Sequence, residues 1–184
     1  MKYFDTSRRD FLGKSATVIV GTALLSSQFT LGNVLSQNPF EGYNPYAETK
    51  NDLRTGLIYL NNVKVSGKIF LTDGTQPAAN ANIEVWHLSP GSKQYKNRGK
   101  FSADENGNYQ FVTDFPNRKE GKKPRIYFKI SSGDAITYTE LLLDRHQAYI
   151  NETHWANNQL LGDAMLPSFR ETMQGKEIQF NITI

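Results

Sequence analysis

The 184-residue sequence contains no cysteine. That rules out disulfides, thiolate metal sites and a cysteine nucleophile. It also lacks an apolar run of the ~20 residues that a bilayer-spanning helix needs: Ala16 to Leu25, ATVIVGTALL, is short and broken by Gly21 and Thr22. There is no internal repeat, no low-complexity tract and no long amphipathic helix. No Ser-His-Asp order, paired-carboxylate pattern or phosphate-cradling glycine loop is present either, which leaves the common hydrolytic and nucleotide-binding chemistries without their parts. Excess charge is missing too. The formal net charge of +3 comes from 21 Lys and Arg against 18 Asp and Glu. Residues 1–36 carry four of the basic and two of the acidic side chains, so residues 37–184 hold 17 against 16. A nearly neutral domain offers no broad basic face for nucleic acid.

What is present begins with a leader. SRRDFLGKS (residues 7–15) pairs two arginines with Phe11-Leu12 and Lys14, just before the apolar stretch. This order is the signature of a twin-arginine export signal. The expectation is a periplasmic or otherwise exported protein that uses the twin-arginine machinery. No Ala-x-Ala cleavage triplet follows, so a retained N-terminal membrane anchor stays open as an alternative. The reading divides the chain into an export segment (1–36), an extended Asn-, Pro- and Gly-rich arm (37–62) and one folded domain (63–184). The export pathway normally carries proteins that are already folded, often around a cofactor.

The domain reads as short strands between turn signals, the pattern of an all-β sandwich. Strands are expected at 63–71, 81–88, 99–104, 108–115, 124–132, 135–143 and 176–184, with 144–165 as loop or short helix. Asp104-Glu105-Asn106-Gly107 reads as a tight hairpin, because Asn-Gly supplies the positive φ such turns need. Trp86, beside Ile83 and Val85, is expected between the sheets. In PRIYFKI (124–130), period-2 alternation puts Ile126, Phe128 and Ile130 on one face and Arg125, Tyr127 and Lys129 on the other. The apolar row faces a core; the polar row faces either water or a pocket.

Several segments then fall into a familiar order. VSGKIFLTDGTQP, ANIEVWHL, the SPGSKQY loop, DENGNYQFVT, KPRIYFKI and the last strand KEIQFNITI together resemble the core of the intradiol ring-cleavage dioxygenases, relatives of catechol and protocatechuate dioxygenases. The likeness spans residues 63–184, and Asp104 to Thr113 is its closest segment. It implies a β-sandwich of the intradiol-dioxygenase type. It also implies a ferric ion held by two tyrosines and two histidines, which opens a catechol ring with O2. Phenolate and imidazole suit Fe(III) as ligands.

Carried over residue by residue, Tyr95 takes the place of the first tyrosine ligand, in the loop before β-strand 99–104. The second has no counterpart, since no tyrosine lies between Pro116 and Pro124. Where the family has His-Ile-His, this chain has Arg125-Ile126-Tyr127, preceded by Lys123 instead of an arginine. Arg125 has no lone pair to give a metal and would attract an anion. Tyr127 could ligate as phenolate or donate as phenol. Its other reading is a cross-strand surface aromatic, and Tyr95 could equally close the sandwich edge. His87 and His146 are the remaining metal candidates. The pocket candidates are therefore Tyr95, Lys123, Arg125 and Tyr127. The expected function is an exported non-catalytic sandwich that binds a small aromatic or anionic ligand, or a protein. The alternative is an Fe(III) dioxygenase, an oxidoreductase, with a divergent ligand set.

Overall fold

The computed structural model describes residues 39–56 and 62–184. The described residues all belong to one compact unit, Asn38–Ile184. The export segment expected at 1–36 lies outside the described residues.

Two five-stranded sheets make up the domain. The first contains β1 (Asn62–Phe70), β4 (Asn108–Asp114), β8 (Ser168–Thr172), β9 (Gly175–Gln179) and β10 (Ile182–Thr183). β1 pairs antiparallel with β4 on one side and parallel with β9 and then β10 on the other. The second is wholly antiparallel, in the order β3 (Asn97–Ser102), β2 (Asn82–His87), β5 (Arg125–Ser132), β6 (Ala135–Leu143), β7 (Ala148–Ile150). A short helix α1 (Glu152–Asn157) and a 3-10 segment (Gln159–Met165) follow β7.

Alternation dictates the core. Val63, Val65 and Ile69 of β1, with Tyr109 and Phe111 of β4, meet Ile83 and Val85 of β2, Ile126, Phe128 and Ile130 of β5, and Leu141 and Leu143 of β6. All are buried. Packing the apolar rows of two sheets face to face gives the sandwich its stability.

Three expectations are corrected. The Asp104–Asn108 turn closes as expected, with Asp104 Oδ1 accepting from the Asn106 and Asn108 amides and Gly107 at φ +76°. Yet β3 and β4 do not pair: β3 joins β2 and β4 joins β1, so the turn is a corner between sheets. The single strand expected at 176–184 splits into β9 and β10. At the break the Lys68 amide takes the Asn181 side-chain oxygen as its partner. Tyr109 donates to the Phe180 carbonyl at 2.6 Å there. Tyr109→Phe should lower the unfolding free energy by about 1–2 kcal/mol, because a buried carbonyl loses its donor. An unchanged urea midpoint would refute that.

The third correction concerns Trp86. It is buried, but on the outer face of the second sheet. Ile83, Val85 and His87 point inward, so Trp86 must point out. A segment distant in sequence covers it. Residues 39–56 form an arm along the sandwich, with bridges Thr49↔Lys100 and Asp52↔Val112 and the Leu53 side chain in the core.

Candidate functional site

The outer face of the second sheet carries two cross-strand rows. Register aligns Arg98, Trp86, Tyr127 and Glu140 across β3, β2, β5 and β6; the neighbouring row is Lys100, Glu84, Lys129 and Tyr138. Phe40 to Tyr43 of the arm lie over both. Phe40 stacks on Tyr127 with centroids 4.8 Å apart and planes at 22°. Tyr43 packs on Trp86 at 5.2 Å, and the Trp86 indole donates to the Glu41 carbonyl at 3.0 Å. Below them, the Lys129 ammonium reaches Glu84 at 2.8 Å and the Tyr43 hydroxyl at 2.9 Å, while that hydroxyl donates to Glu84. Apolar stacking and one charged cluster together pin the arm.

Tyr95 completes the aromatic group, 6.4 Å from Tyr127 between centroids. The arm can pass it only as glycine: a Cβ on Gly42, at φ +80°, would sit 2.3 Å from the Tyr95 ring. Beside these rings is a hole of about 10 Å³, lined by Tyr95, Lys119, Lys122, Lys123, Arg125 and Tyr127 among others. That is room for about one water. The structure thus brings Tyr95, Lys123, Arg125 and Tyr127 to one place. Three of the four cations are already paired. Arg125 donates to Glu140 at 2.9 Å, and Lys123 reaches Asp144 at 2.9 Å. Lys119 pairs with Glu41 of the arm. Burial, then the neighbouring Tyr95, pushes the Tyr127 hydroxyl up to about 12, so it stays a phenol at neutral pH.

The histidines lie elsewhere. His87 points into the core, where Nδ1 donates to the Leu88 carbonyl at 3.0 Å and Nε2 therefore accepts from the Thr113 hydroxyl at 2.6 Å. Neither nitrogen has a lone pair left for a metal. His146 is exposed beside Glu171 at 3.3 Å.

This architecture has solved counterparts. The dioxygenase domain of a dioxygenase–carbohydrate-binding protein fusion from Streptomyces sp. SirexAA-E superposes with a TM-score of 0.61 at 18% identity, over 80% of this chain and 95% of that one. An intradiol ring-cleavage dioxygenase from Tetranychus urticae gives 0.58 at 13%, over 77% and 89%. The 3-chlorocatechol 1,2-dioxygenase of Rhodococcus opacus 1CP gives 0.56 at 17%, over 80% and 69%. The fold is the intradiol-dioxygenase fold. No family model matches the sequence, and no curated protein matches it.

The likeness to the intradiol dioxygenases implies iron, and the residues around the hole do not fit it. Two phenols are present, but one is held neutral and no imidazole lines the hole. Among the described residues no group of three His, Asp or Glu side chains could hold a metal ion. Of the four cations lining this space of about 10 Å³, three are paired with carboxylates and Lys122 has no ion pair among the described residues, so the charge left over is positive and repels Fe(III). Sequence reasoning missed Phe40, Tyr43, Lys119, Lys122 and Glu140. The spacing FEGY in the arm, two aromatics flanking a glycine, was the available signal; nothing local said which face it would cover.

Proposed function

We propose that this chain is an exported binding protein that keeps the intradiol-dioxygenase fold without its iron chemistry, and that it takes a small anionic, aromatic ligand over the mouth of the Tyr95–Tyr127 hole, which itself has room for about one water. The convergence of Lys119, Lys122, Lys123 and Arg125 on two phenols, where the resemblance leads one to look for metal ligands, carries this reading. Fixed protein cations stand in for a metal's charge, and the phenols donate to an anionic head group. The ligand's body lies outward, towards exposed Lys122. Arg125 acts mainly by positioning, since Glu140 already holds it. The twin-arginine motif supports the export part.

Titration with benzoate and hydroxybenzoates, followed by quenching of Tyr and Trp fluorescence, tests it. Tyr95→Phe and Lys122→Ala should each weaken binding several-fold to tenfold, with little change in melting temperature. If no aromatic carboxylate binds, or if both variants bind like the parent, the reading fails. A second reading, a ferric dioxygenase with a rearranged ligand set, has the fold and the Tyr95–Tyr127 proximity in its favour. It requires iron-supplemented protein to absorb in the visible, and colourless, iron-free protein ends it.

A further inference from the structure

Next to the hole, and sharing Lys122 and Lys123 with it, lie two adjoining hollows of about 400 and 480 Å³. Arg118, Pro124 and Asp144 line both, so the two form one continuous trench. Each volume falls within the range of ligand-binding clefts. The cations along it are Arg118, Lys122, Lys123, Arg145 and Lys176; the only carboxylates are Glu120 and Asp144. Lys176 is already paired with Glu171 at 3.7 Å, so four cations against two carboxylates leave two positive charges in surplus, in a domain that is otherwise almost neutral. Lys123 neutralises Asp144 at 2.9 Å. The side chains of Arg118, Lys122 and Arg145 have no ion pair or hydrogen bond among the described residues, and all three are exposed. Their charge is therefore available.

The floor is apolar and firmly held. Pro124 is fixed by a hydrogen bond from the Leu143 amide to its carbonyl at 2.8 Å, and Leu143 itself is buried. At the far end, Lys176 sits over the Phe115 ring, 5.5 Å from its centroid.

We propose that this trench binds a linear acidic polysaccharide. A single small anion would need its cations converged on one point, whereas these are strung along two joined hollows. Arginine forks grip successive carboxylates, and a sugar ring lies on the Pro124 floor between them. A nucleic acid fits less well. The aromatic ring in the trench, Phe115, has Lys176 over its face, so it gives bases no platform to stack on. The trench shares Lys122 and Lys123 with the Tyr95–Tyr127 hole, but the inference rests on Arg118 and Arg145, which do not line the hole.

The test uses the full chain and oligogalacturonate, measured calorimetrically at low salt. Its methyl-esterified form, the same sugar without charge, is the control, and duplex DNA is the competitor class. Expected results are binding of the acid form and at least tenfold weaker binding of the ester. Affinity should also fall about twentyfold between 50 and 200 mM NaCl, as released counterions predict for about three contacts on a single charged strand. Arg118→Ala with Arg145→Ala should reduce affinity at least tenfold at an unchanged melting temperature, and Tyr95→Phe should leave it unaltered. Equal binding of the ester, an unaffected double variant, tighter binding of DNA than of oligogalacturonate at the same salt, or no binding at low salt would each overturn the proposal. Benzoate binding that survives the double variant and is lost in Tyr95→Phe would still support the hole, so the two readings fail separately.

Discussion

Phe128→Ala should lower the unfolding free energy by about 3–5 kcal/mol, the usual loss when a fully buried phenylalanine is truncated. Phe128 is completely buried and meets Phe180 at 5.4 Å, Phe111 at 5.9 Å and Tyr109 at 6.4 Å between ring centroids. It stands on β5 and touches rings from the opposite sheet, so its loss opens a cavity at the point where the two layers meet. Domains of this size are typically stable by about 5–15 kcal/mol, so the variant should approach the unfolding threshold at 37 °C. Tyr127→Phe, one residue away on the same strand, is the matched control. It keeps the ring stacked on Phe40 and removes a hydroxyl with no protein hydrogen-bond partner among the described residues, so its urea midpoint should move little. If both variants shift the midpoint equally, the two faces of β5 have been assigned wrongly.

That strand also marks how far the sequence could be read. Period-2 alternation located β1, β2, β4, β5 and β6 to within a residue or so at each end, because each has one mainly apolar row, interrupted only by groups such as His87, Thr113 and Thr139. It failed on β8, SFRET, an edge strand whose residues are mostly exposed and which has no apolar row to detect. It also missed β7, three residues inside a stretch read as loop or short helix. Trp86 was misplaced because apolar neighbours suggested a core position. Parity, with Ile83 and Val85 on the other side, already pointed it outward. What no local pattern could supply was its cover, since Phe40 and Tyr43 lie more than forty residues upstream. The candidate site was legible to the same degree. Tyr95, Lys123, Arg125 and Tyr127 could be named from motif position, but Glu140 and Asp144, which pair with Arg125 and Lys123, and the Lys119–Glu41 pair beside them depend on sheet register and arm placement.

Acidification from pH 7 to 4.5 should remove roughly 4–5 kcal/mol of stability, and two buried histidines account for it. His87 and His154 are both fully buried. Burial lowers each from the ordinary 6.5 to about 4. His87 spends both nitrogens on Leu88 and Thr113. His154 shares its Nδ1 with Thr139 at 2.9 Å, stacks on Phe180 at 4.6 Å and leaves Nε2 buried with no hydrogen-bond partner among the described residues. Between the two pKa values the unfolded chain binds protons that the native state refuses. Unfolding free energy must therefore fall as pH drops below 6.5, by up to about 1.4 kcal/mol per unit for each ring, and level off for these groups below about 4. The exposed aspartates and glutamates held down by hydrogen bonds, such as Asp73 and Asp104, act in the same direction only at lower pH, near and below their ordinary values of about 4. The window from 6.5 to 4.5 thus belongs to the histidines. Urea unfolding at both pH values measures the loss, and His154→Phe, which keeps a ring against Phe180, should remove about half of the pH dependence whatever it does to stability at pH 7. Equal stability at pH 7 and 4.5, or a full pH dependence in that variant, would mean that these imidazoles are hydrated.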